Sequence, residues 1–292
     1  MSDATEFKLY HYKPSLAAAV TFVILFTFVS LRHVQLLFST RTWCFIPFLI
    51  GCLFEAVGYV GRALNARESP DWTLKPYIIQ STLTLLGPTF YAASIYMVLG
   101  RLIRLLDAGH HSMIKPKWLT KFFLLGDVLS FLSQGGGGGM LTSAKTESSQ
   151  KLGNNIILLG LGIQIIFFGF FMVVSVVFHF RITQRPTSTS RSTNAPWRQL
   201  LWLLYGGSLL IMVRSMYRMV EYAQGNNGAL MQKEMYVYVL DATTMFIVAG
   251  VFAIWYPGKM LKEHTKIHDY VDAATELHGY PVVEGSKRKL GV

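Results

Sequence analysis

Seven apolar segments, each long enough to cross a lipid bilayer, constrain this sequence more than any other feature. Tryptophan and tyrosine residues stand near their ends, as is typical of side chains anchored at the two membrane interfaces. A helix needs about 20 apolar residues to span hydrocarbon about 30 Å thick. The pattern predicts an all-α membrane protein, a seven-transmembrane helix bundle. The segments are 15–37, 43–64, 77–102, 118–140, 154–180, 197–222 and 236–256.

The distribution of lysine and arginine predicts the orientation of this bundle. If the N-terminus is outside, seventeen of these residues fall on the cytoplasmic side and eight on the external side. Cytoplasmic loops of membrane proteins carry such an excess of positive charge. We therefore predict an external N-terminal tail at 1–14, a membrane domain at 15–258 and a cytoplasmic C-terminal tail at 259–292.

Composition excludes several other classes of protein. With 52% hydrophobic and 15% charged residues, the chain is too apolar for an ordinary soluble domain. The net charge of +11 is dispersed over loops and forms no basic face with interleaved aromatics, so we expect no nucleic-acid partner. Cys44 and Cys52 would lie about 12 Å apart on one helix, too far for a disulfide bond.

Motifs for catalysis are missing from the apolar segments. No segment contains a His-x-x-x-His pair for zinc, and the chain has no Gly-rich phosphate loop ending in Lys-Ser or Lys-Thr. We predict that the protein is not an enzyme and that it holds no metal. Any active transport would then depend on an ion gradient or on downhill movement of a lipid.

Ionisable and amide side chains inside the segments are the candidate functional residues. Each charged group costs roughly 2.5–3.5 kcal/mol to insert unless it faces a partner or water. Most of them fall in the predicted external half, so six helices can direct polar groups toward one chamber open to the outside. The predicted ligand-binding set is Glu55, Tyr59, Arg62, Gln80, Asp127, Gln134, Gln164, Arg214, Arg218, Glu221 and Asp241.

The spacing within this set leaves alternatives open. Arg214, Arg218 and Glu221 share one helix face, where two guanidinium groups can bind a carboxylate or phosphate of a ligand. The same face can instead form ion pairs that join helices, or extend to the membrane interface. Glu55 and Arg62 also share a face of their segment, with packing, ligand binding and a protonated Glu55 in an apolar setting as the three interpretations.

Two helix-disrupting features lie close to these residues. The glycines at 135–139 permit either tight helix packing or a local unwinding that bends the chain toward a ligand. Pro88, which follows Gly87, predicts a kink in the third segment, either as a determinant of shape or as a gating hinge.

Several of these residues belong to motifs that occur in a fixed order along the chain. Together they resemble the fungal lipid-translocating exporter family, the seven-span proteins associated with aminocholesterol and toxin resistance, sphingoid long-chain-base release and porphyrin handling. The resemblance covers about residues 12–260. The motifs are EAVGYVGR at 55–62, LGP at 86–88, AASIY at 92–96, DVLSF at 127–131, QGGG at 134–137, GIQ at 162–164, RSMYR at 214–218 and YVLD at 238–241.

This resemblance implies a function that hydropathy alone does not. It implies a fungal protein of the plasma membrane or an endomembrane that exports amphipathic molecules such as sphingoid bases, phospholipids or sterol-like toxins, and so contributes to drug resistance. Its partners would be membrane lipids and amphipathic small molecules, in an oligomeric state that the sequence leaves open. A seven-helix sensor or receptor that binds without transport is the alternative, and a haem or porphyrin carrier is a variant of the transporter. No other cofactor is expected.

Overall fold

The protein is described here by a computed structural model that covers residues 12–260. Residues 70, 71, 145, 194, 195, 225–227, 229 and 231 and the side chain of Thr142 are excepted. The described residues form helices and no strands, which confirms the predicted all-α class. Most of the two predicted tails, residues 1–11 and 261–292, lies outside the described residues.

Each of the seven predicted apolar segments coincides with a long helix. Three-residue 3-10 turns, Trp43–Phe45 and Gly109–His111, precede α2 and α4, and a π-helical turn, Val237–Ala242, makes α8 and α9 one continuous rod. The helices are α1 (Leu16–Thr40), α2 (Ile46–Glu68), α3 (Leu74–Leu105), α4 (Pro116–Ser143), α5 (Glu147–Gln184), α6 (Ser188–Ser192), α7 (Trp197–Ala223), α8 (Glu234–Tyr236) and α9 (Thr243–Ile254).

Six helical stretches in the described part of the chain are long and apolar enough to cross a membrane. They contain α1, α2, α3, α5, α7 and the rod formed by α8 and α9. Helix α4 has 28 residues and is long enough, but it does not contain a stretch as apolar as those of the six. The reason lies in its composition, because Asp127, Gln134 and five glycines dilute its aliphatic and aromatic residues.

Local sequence signals explain where several helices begin. The Ser15 hydroxyl caps α1 by accepting a hydrogen bond from the backbone of Ala18 at 3.3 Å, and Thr146 caps α5 in the same way. Helices α2 and α4 carry a proline in the first turn, where its missing N–H leaves no helical bond unmade.

The long helices pack in a closed ring. In order around the ring they are α1, α2, α3, α4, α5, α7 and α9, and α9 returns to α1. The His33 side chain of α1 fixes this closure through a 3.0 Å hydrogen bond with the Ala249 carbonyl of α9. Helix α3 also contacts α7 across the interior, so the centre of the bundle is filled.

Glycines allow two neighbouring pairs of helices to approach closely. A Cβ atom at Gly51 of α2 would lie 2.7 Å from the Gly87 carbonyl oxygen of α3. A Cβ atom at Gly137 of α4 would lie 2.6 Å from the Gly153 carbonyl oxygen of α5. Small residues at helix interfaces are the usual means of close packing within membranes. Helix pairs α2–α3 and α4–α5 accordingly make the most extensive contacts in the bundle.

Candidate functional site

The centre of the bundle holds a network of buried ion pairs between α7 and the π-helical turn. Arg214 donates from Nε to Asp241 Oδ1 at 2.6 Å, and Arg218 donates from Nη2 to Asp241 Oδ2. The other face of Arg218 pairs with Glu221 at 2.9 Å, and Tyr217 donates to the same carboxylate at 3.0 Å. Each carboxylate of this network therefore receives two donors, the arrangement that makes a buried charge tolerable.

Helix α3 contributes a backbone acceptor to this network through Pro88. Proline has no N–H, so in a helix it leaves the carbonyl four residues earlier without its usual donor. That carbonyl belongs to Thr84, and the Nη2 atom of Arg214 donates to it. Pro88 lies inside a continuous helix, and the acceptor that it releases joins α3 to α7.

A third carboxylate faces this network without a hydrogen bond. Glu55 of α2 is fully buried near Asp241, Arg214 and Arg218, and neither of its oxygens has a hydrogen-bond partner among the described residues. It packs so closely against Gly87 that a Cβ atom there would lie 2.6 Å from Glu55 Oε1. The position therefore requires glycine at 87 and a compact carboxyl group at 55.

A second ion pair joins α2 to the beginning of α8. Arg62, which is 1% exposed, donates to Glu234 at 2.8 Å, to the Tyr238 hydroxyl at 2.9 Å and to the Tyr12 hydroxyl at 2.9 Å. The two Glu234 oxygens accept hydrogen bonds of 2.9 and 3.0 Å from the Ser15 backbone. One carboxylate thus connects the start of α1, the end of α2 and the start of α8.

Uncharged polar groups join α4 to α5. Gln134 donates from Nε2 to the Ser130 hydroxyl at 2.6 Å and to Gln164 Oε1 at 3.2 Å, and all three side chains are buried. Asp127 lies deeper along α4 and faces the Tyr96 hydroxyl of α3. Neither Asp127 oxygen meets full hydrogen-bond geometry with any donor in the described part of the chain.

A cavity of about 570 Å³ lies between α3, α4 and α5 at the end of the bundle where α3 and α5 begin. Its walls combine apolar side chains, among them Ile78, Leu85 and Phe131, with exposed backbone. That backbone belongs to Gly135, Gly138 and Gly139, where an added Cβ atom would meet no neighbour within 4 Å. The cavity therefore exists because the glycine run of α4 carries no side chains that would fill it.

The mouth of this cavity is polar. Glu147 and Lys151 form an exposed pair of 2.7 Å there, and Gln150 and Asn154 lie beside them. The Asn154 amide donates to the Tyr222 carbonyl at 3.1 Å and so connects α5 to the end of α7. An apolar wall with carboxylate, ammonium and amide groups at one end suits an amphipathic molecule.

The structure separates the predicted ligand-binding residues into distinct groups. All eleven side chains are buried, but only Gln134 lines the cavity. Tyr59 stacks on Phe26, with ring centroids 5.7 Å apart, and Gln80 lies in the α2–α3 contact beside Gly61. Helix α4 continues unbroken through the glycine run, with Gly137 packed against α5 and the four other glycines facing open space.

Sequence reasoning missed two kinds of residue. Glu234 lies just before the last apolar segment, and its position seven residues before Asp241 places both acids on one helix face, which was the available signal. The residues at the cavity mouth carried no comparable signal, because polar groups such as Glu147 and Gln150 in the loop before an apolar segment are ordinary.

Comparison with known proteins finds a family and several fungal relatives that this sequence resembles. The family model described as RTA1 like protein matches residues 48–264. Protoporphyrin uptake protein 1 of Saccharomyces cerevisiae is 36% identical over 85% of this chain and 91% of its own length. Protein RTA1 of the same yeast is 36% identical over 86% of this chain and 85% of its own.

A more distant relative has a name that states a substrate class. The sphingoid long-chain base transporter RSB1 of Saccharomyces cerevisiae is 25% identical over 85% of this chain and 73% of its own length. No solved structure matches the chain.

Proposed function

This chain belongs to the RTA1-like family of integral membrane proteins, and from that premise we propose that it moves amphipathic, lipid-like molecules across the membrane. The observation that carries the proposal is the glycine-walled cavity between α3, α4 and α5. We place the apolar part of the substrate against α3 and α4 and its headgroup at the polar mouth. Relatives named as a sphingoid long-chain base transporter and a protoporphyrin uptake protein support this class of substrate.

We further propose that all seven long helices span the membrane. Residues at the starts of both α3 and α5 line the first cavity, and residues following α3 and at the end of α5 line a second cavity. The two helices therefore run in the same direction, and α4 has to return across the full bundle between them. An odd number of spans places the termini on opposite sides, and the excess of positive charge assigns the N-terminus to the outside.

Cysteine labelling tests this orientation. Cys44 and Cys52 are buried, so they contribute little background. We expect a membrane-impermeant maleimide added to intact cells to label a Ser143→Cys variant at the end of α4 and not a Ser192→Cys variant at the end of α6, both of which are exposed positions. Labelling of the second variant alone would reverse the orientation.

In this proposal the buried ion pairs hold α7 in position, and α7 borders the substrate cavity. Arg214 and Arg218 donate to Asp241, Glu221 and the Thr84 carbonyl, and the buried Nε atom of Arg218 has no acceptor among the described residues. The end of α7 carries Tyr222, which lines the cavity and accepts the Asn154 amide. Ion pairing thus fixes one border of the cavity, while the cavity itself receives the ligand.

Transport of a fluorescent sphingoid base by proteoliposomes tests the function. We expect protein-dependent translocation by the wild-type chain and a loss of most of it in a Gly138→Leu variant, whose new side chain occupies the open space of the cavity. Gly206→Leu is the matched control, because Gly206 also faces open space but lies outside the cavity and is exposed on α7.

The outcomes separate transport from its alternatives. Saturable binding without protein-dependent translocation would favour a sensor over a transporter. Equal rates for the two leucine variants would remove the cavity from the substrate path. A porphyrin carrier is the second candidate, because the protoporphyrin uptake protein is among the relatives at 36% identity, and an absorbance scan after incubation with protoporphyrin reports its binding.

A further inference from the structure

A second cavity, of about 760 Å³, lies at the opposite end of the bundle from the proposed substrate cavity. It is bordered by the turn that follows α3 and by the end of α5. Basic and imidazole side chains dominate its wall, namely His110 and His111 from the turn, Arg181 from α5 and Arg185 directly after α5. The proposed transport path makes no use of this cavity.

The arginines of this cavity have guanidinium groups available for a ligand. Arg181 lies in the last turn of α5, and Arg185, four positions later, is the residue that directly follows the helix. None of the ion pairs among the described residues involves Arg181 or Arg185. Arg181 makes a 3.3 Å hydrogen bond from Nη1 to the His111 carbonyl, which holds its side chain against the turn. Asp107 also lines the cavity but forms no ion pair with either arginine.

His111 supplies a second, independent feature. Its side chain is only 7% exposed and its ring contacts the Arg185 backbone, but its Nε2 atom makes no full hydrogen bond with any described residue. Such orphaned polar atoms are uncommon in folded proteins, and a ligand is one of the groups that satisfy them. The surrounding loop is well fixed, because Thr187 donates to the Leu106 carbonyl at 2.7 Å.

We propose that this cavity binds a phosphate monoester, with Arg181 and Arg185 as the charged donors and His111 as a further donor. A guanidinium group matches a phosphate with two parallel hydrogen bonds, and two such groups that line one cavity can hold a dianion between them. The same chemistry is offered by the headgroup of phosphatidic acid and by inorganic phosphate. With the N-terminus outside, this site faces the cytoplasm, where it is separate from the substrate cavity.

The electrostatics of His111 give the site a spectroscopic signature. Burial lowers the pKa of His111 below its ordinary value, and the charges of His110, Arg181 and Arg185 lower it further. The contact of the ring with the Arg185 backbone raises the pKa in part. The charged or titratable groups that face His111 are therefore His110, Arg181, Arg185 and Asp107. A bound dianion stabilises the protonated ring, so its titration midpoint moves to higher pH.

Binding of water-soluble short-chain lipids to the purified full-length chain tests the proposal. We expect saturable binding of short-chain phosphatidic acid, and a loss of about tenfold in affinity for each arginine removed in an Arg181→Gln/Arg185→Gln variant. The matched control is Arg191→Gln/Arg198→Gln, which removes the same charge from exposed positions outside the cavity and should bind like the wild type.

The probes also distinguish the source of the phosphate. Competition by inorganic phosphate at a similar concentration assigns the site to free phosphate, and binding of phosphatidic acid alone assigns it to a lipid headgroup. Equal binding of short-chain phosphatidylserine, a phosphate diester, or an equal loss in the control variant would overturn the proposal. If the arginine variant fails to fold, the wild-type protein decides, because a His111 NMR titration that phosphatidic acid does not shift also contradicts it.

Discussion

Charged side chains join α7 to the π-helical turn of the last rod, whereas glycine, serine and glutamine join α4 to α5 near the cavity. In the first, Asp241 receives hydrogen bonds from two arginines. In the second, Gly137 and Gly153 bring two backbones together and Gln134 adds uncharged hydrogen bonds. The cavity lies beside the uncharged contact.

The two contacts differ in the kind of substitution that disrupts them. A network of buried charges depends on each member, since removal of one leaves another charge unpaired in a medium that cannot solvate it. A contact between small residues spreads its energy over many weak interactions, and it fails when volume is added. The first contact should therefore be sensitive to deletion of a group, and the second to enlargement.

The largest effect is expected from Asp241→Asn. The amide keeps the shape of the carboxylate but leaves Arg214 and Arg218 short of a buried counter-charge, which lowers the free energy of unfolding by about 3–5 kcal/mol. Denaturant titration in detergent micelles measures it. Glu147→Gln is the control, because the Glu147–Lys151 pair is exposed and its loss should leave the midpoint unchanged. Equal midpoints for the two variants would mean that the buried network contributes nothing.

Gly137→Ala tests the uncharged contact by enlargement. Its Cβ atom would lie 2.6 Å from the Gly153 carbonyl oxygen, so α4 and α5 have to separate, at a cost of about 1–3 kcal/mol. The neighbouring Gly138→Ala adds the same methyl group where nothing lies within 4 Å. The same titration should place Gly138→Ala close to the wild type or above it, because alanine favours a helix over glycine. Similar losses for both variants would contradict the assigned packing.

Ser130→Ala tests the same contact by deletion. It removes the 3.5 Å hydrogen bond that Ser130 donates to Gln164 of α5, together with the 2.6 Å bond that Gln134 donates to Ser130 within α4, yet Gln134 retains Gln164 as an acceptor. Hydrogen bonds between membrane helices contribute about 0.6 kcal/mol on average, and a loss of that size is expected here. A loss comparable with that of Asp241→Asn would erase the contrast between the two contacts.

Glu55→Gln should have the smallest effect and sharpens the comparison within the charged region. Glu55 accepts no hydrogen bond from any described residue at either oxygen. Arg214 and Arg218 are already paired with the carboxylates of Asp241 and Glu221. The isosteric amide loses no partner, so the free energy of unfolding should change by about 0.5 kcal/mol or less. If unfolding shifts as far as in Asp241→Asn, Glu55 is a full member of the network.

Hydropathy was sufficient to locate the long helices of the described residues, because a run of apolar residues long enough for a bilayer can be read from the sequence alone. It does not report packing partners. The spacing of Arg214, Arg218 and Glu221 placed them on one face, but it could not identify Asp241 as the acceptor, since that depends on which helix lies opposite. The π-helical turn that carries Asp241 likewise has no simple sequence signal.

The cavity was harder to predict for a different reason. The glycines at 135–139 were compatible with close packing, with unwinding or with empty space, and the neighbours of each glycine decide among these outcomes. Only Gly137 meets α5, and the others leave room. Which residue of a glycine run touches a neighbour depends on the rotation of α4, and five identical residues contain no information about rotation.

The pairing of Arg214 with the Thr84 carbonyl makes Pro88 and Arg214 depend on each other across two helices. Proline creates the vacant acceptor, and arginine occupies it. An alanine at 88 would restore a donor from within α3 that competes with the guanidinium, and the loss of Arg214 would leave a buried carbonyl unsatisfied. A change at either position alone would weaken the contact between α3 and α7, so evolution should retain the two residues together or exchange them together. The dependence is indirect, because Arg214 donates to the Thr84 carbonyl and not to Pro88.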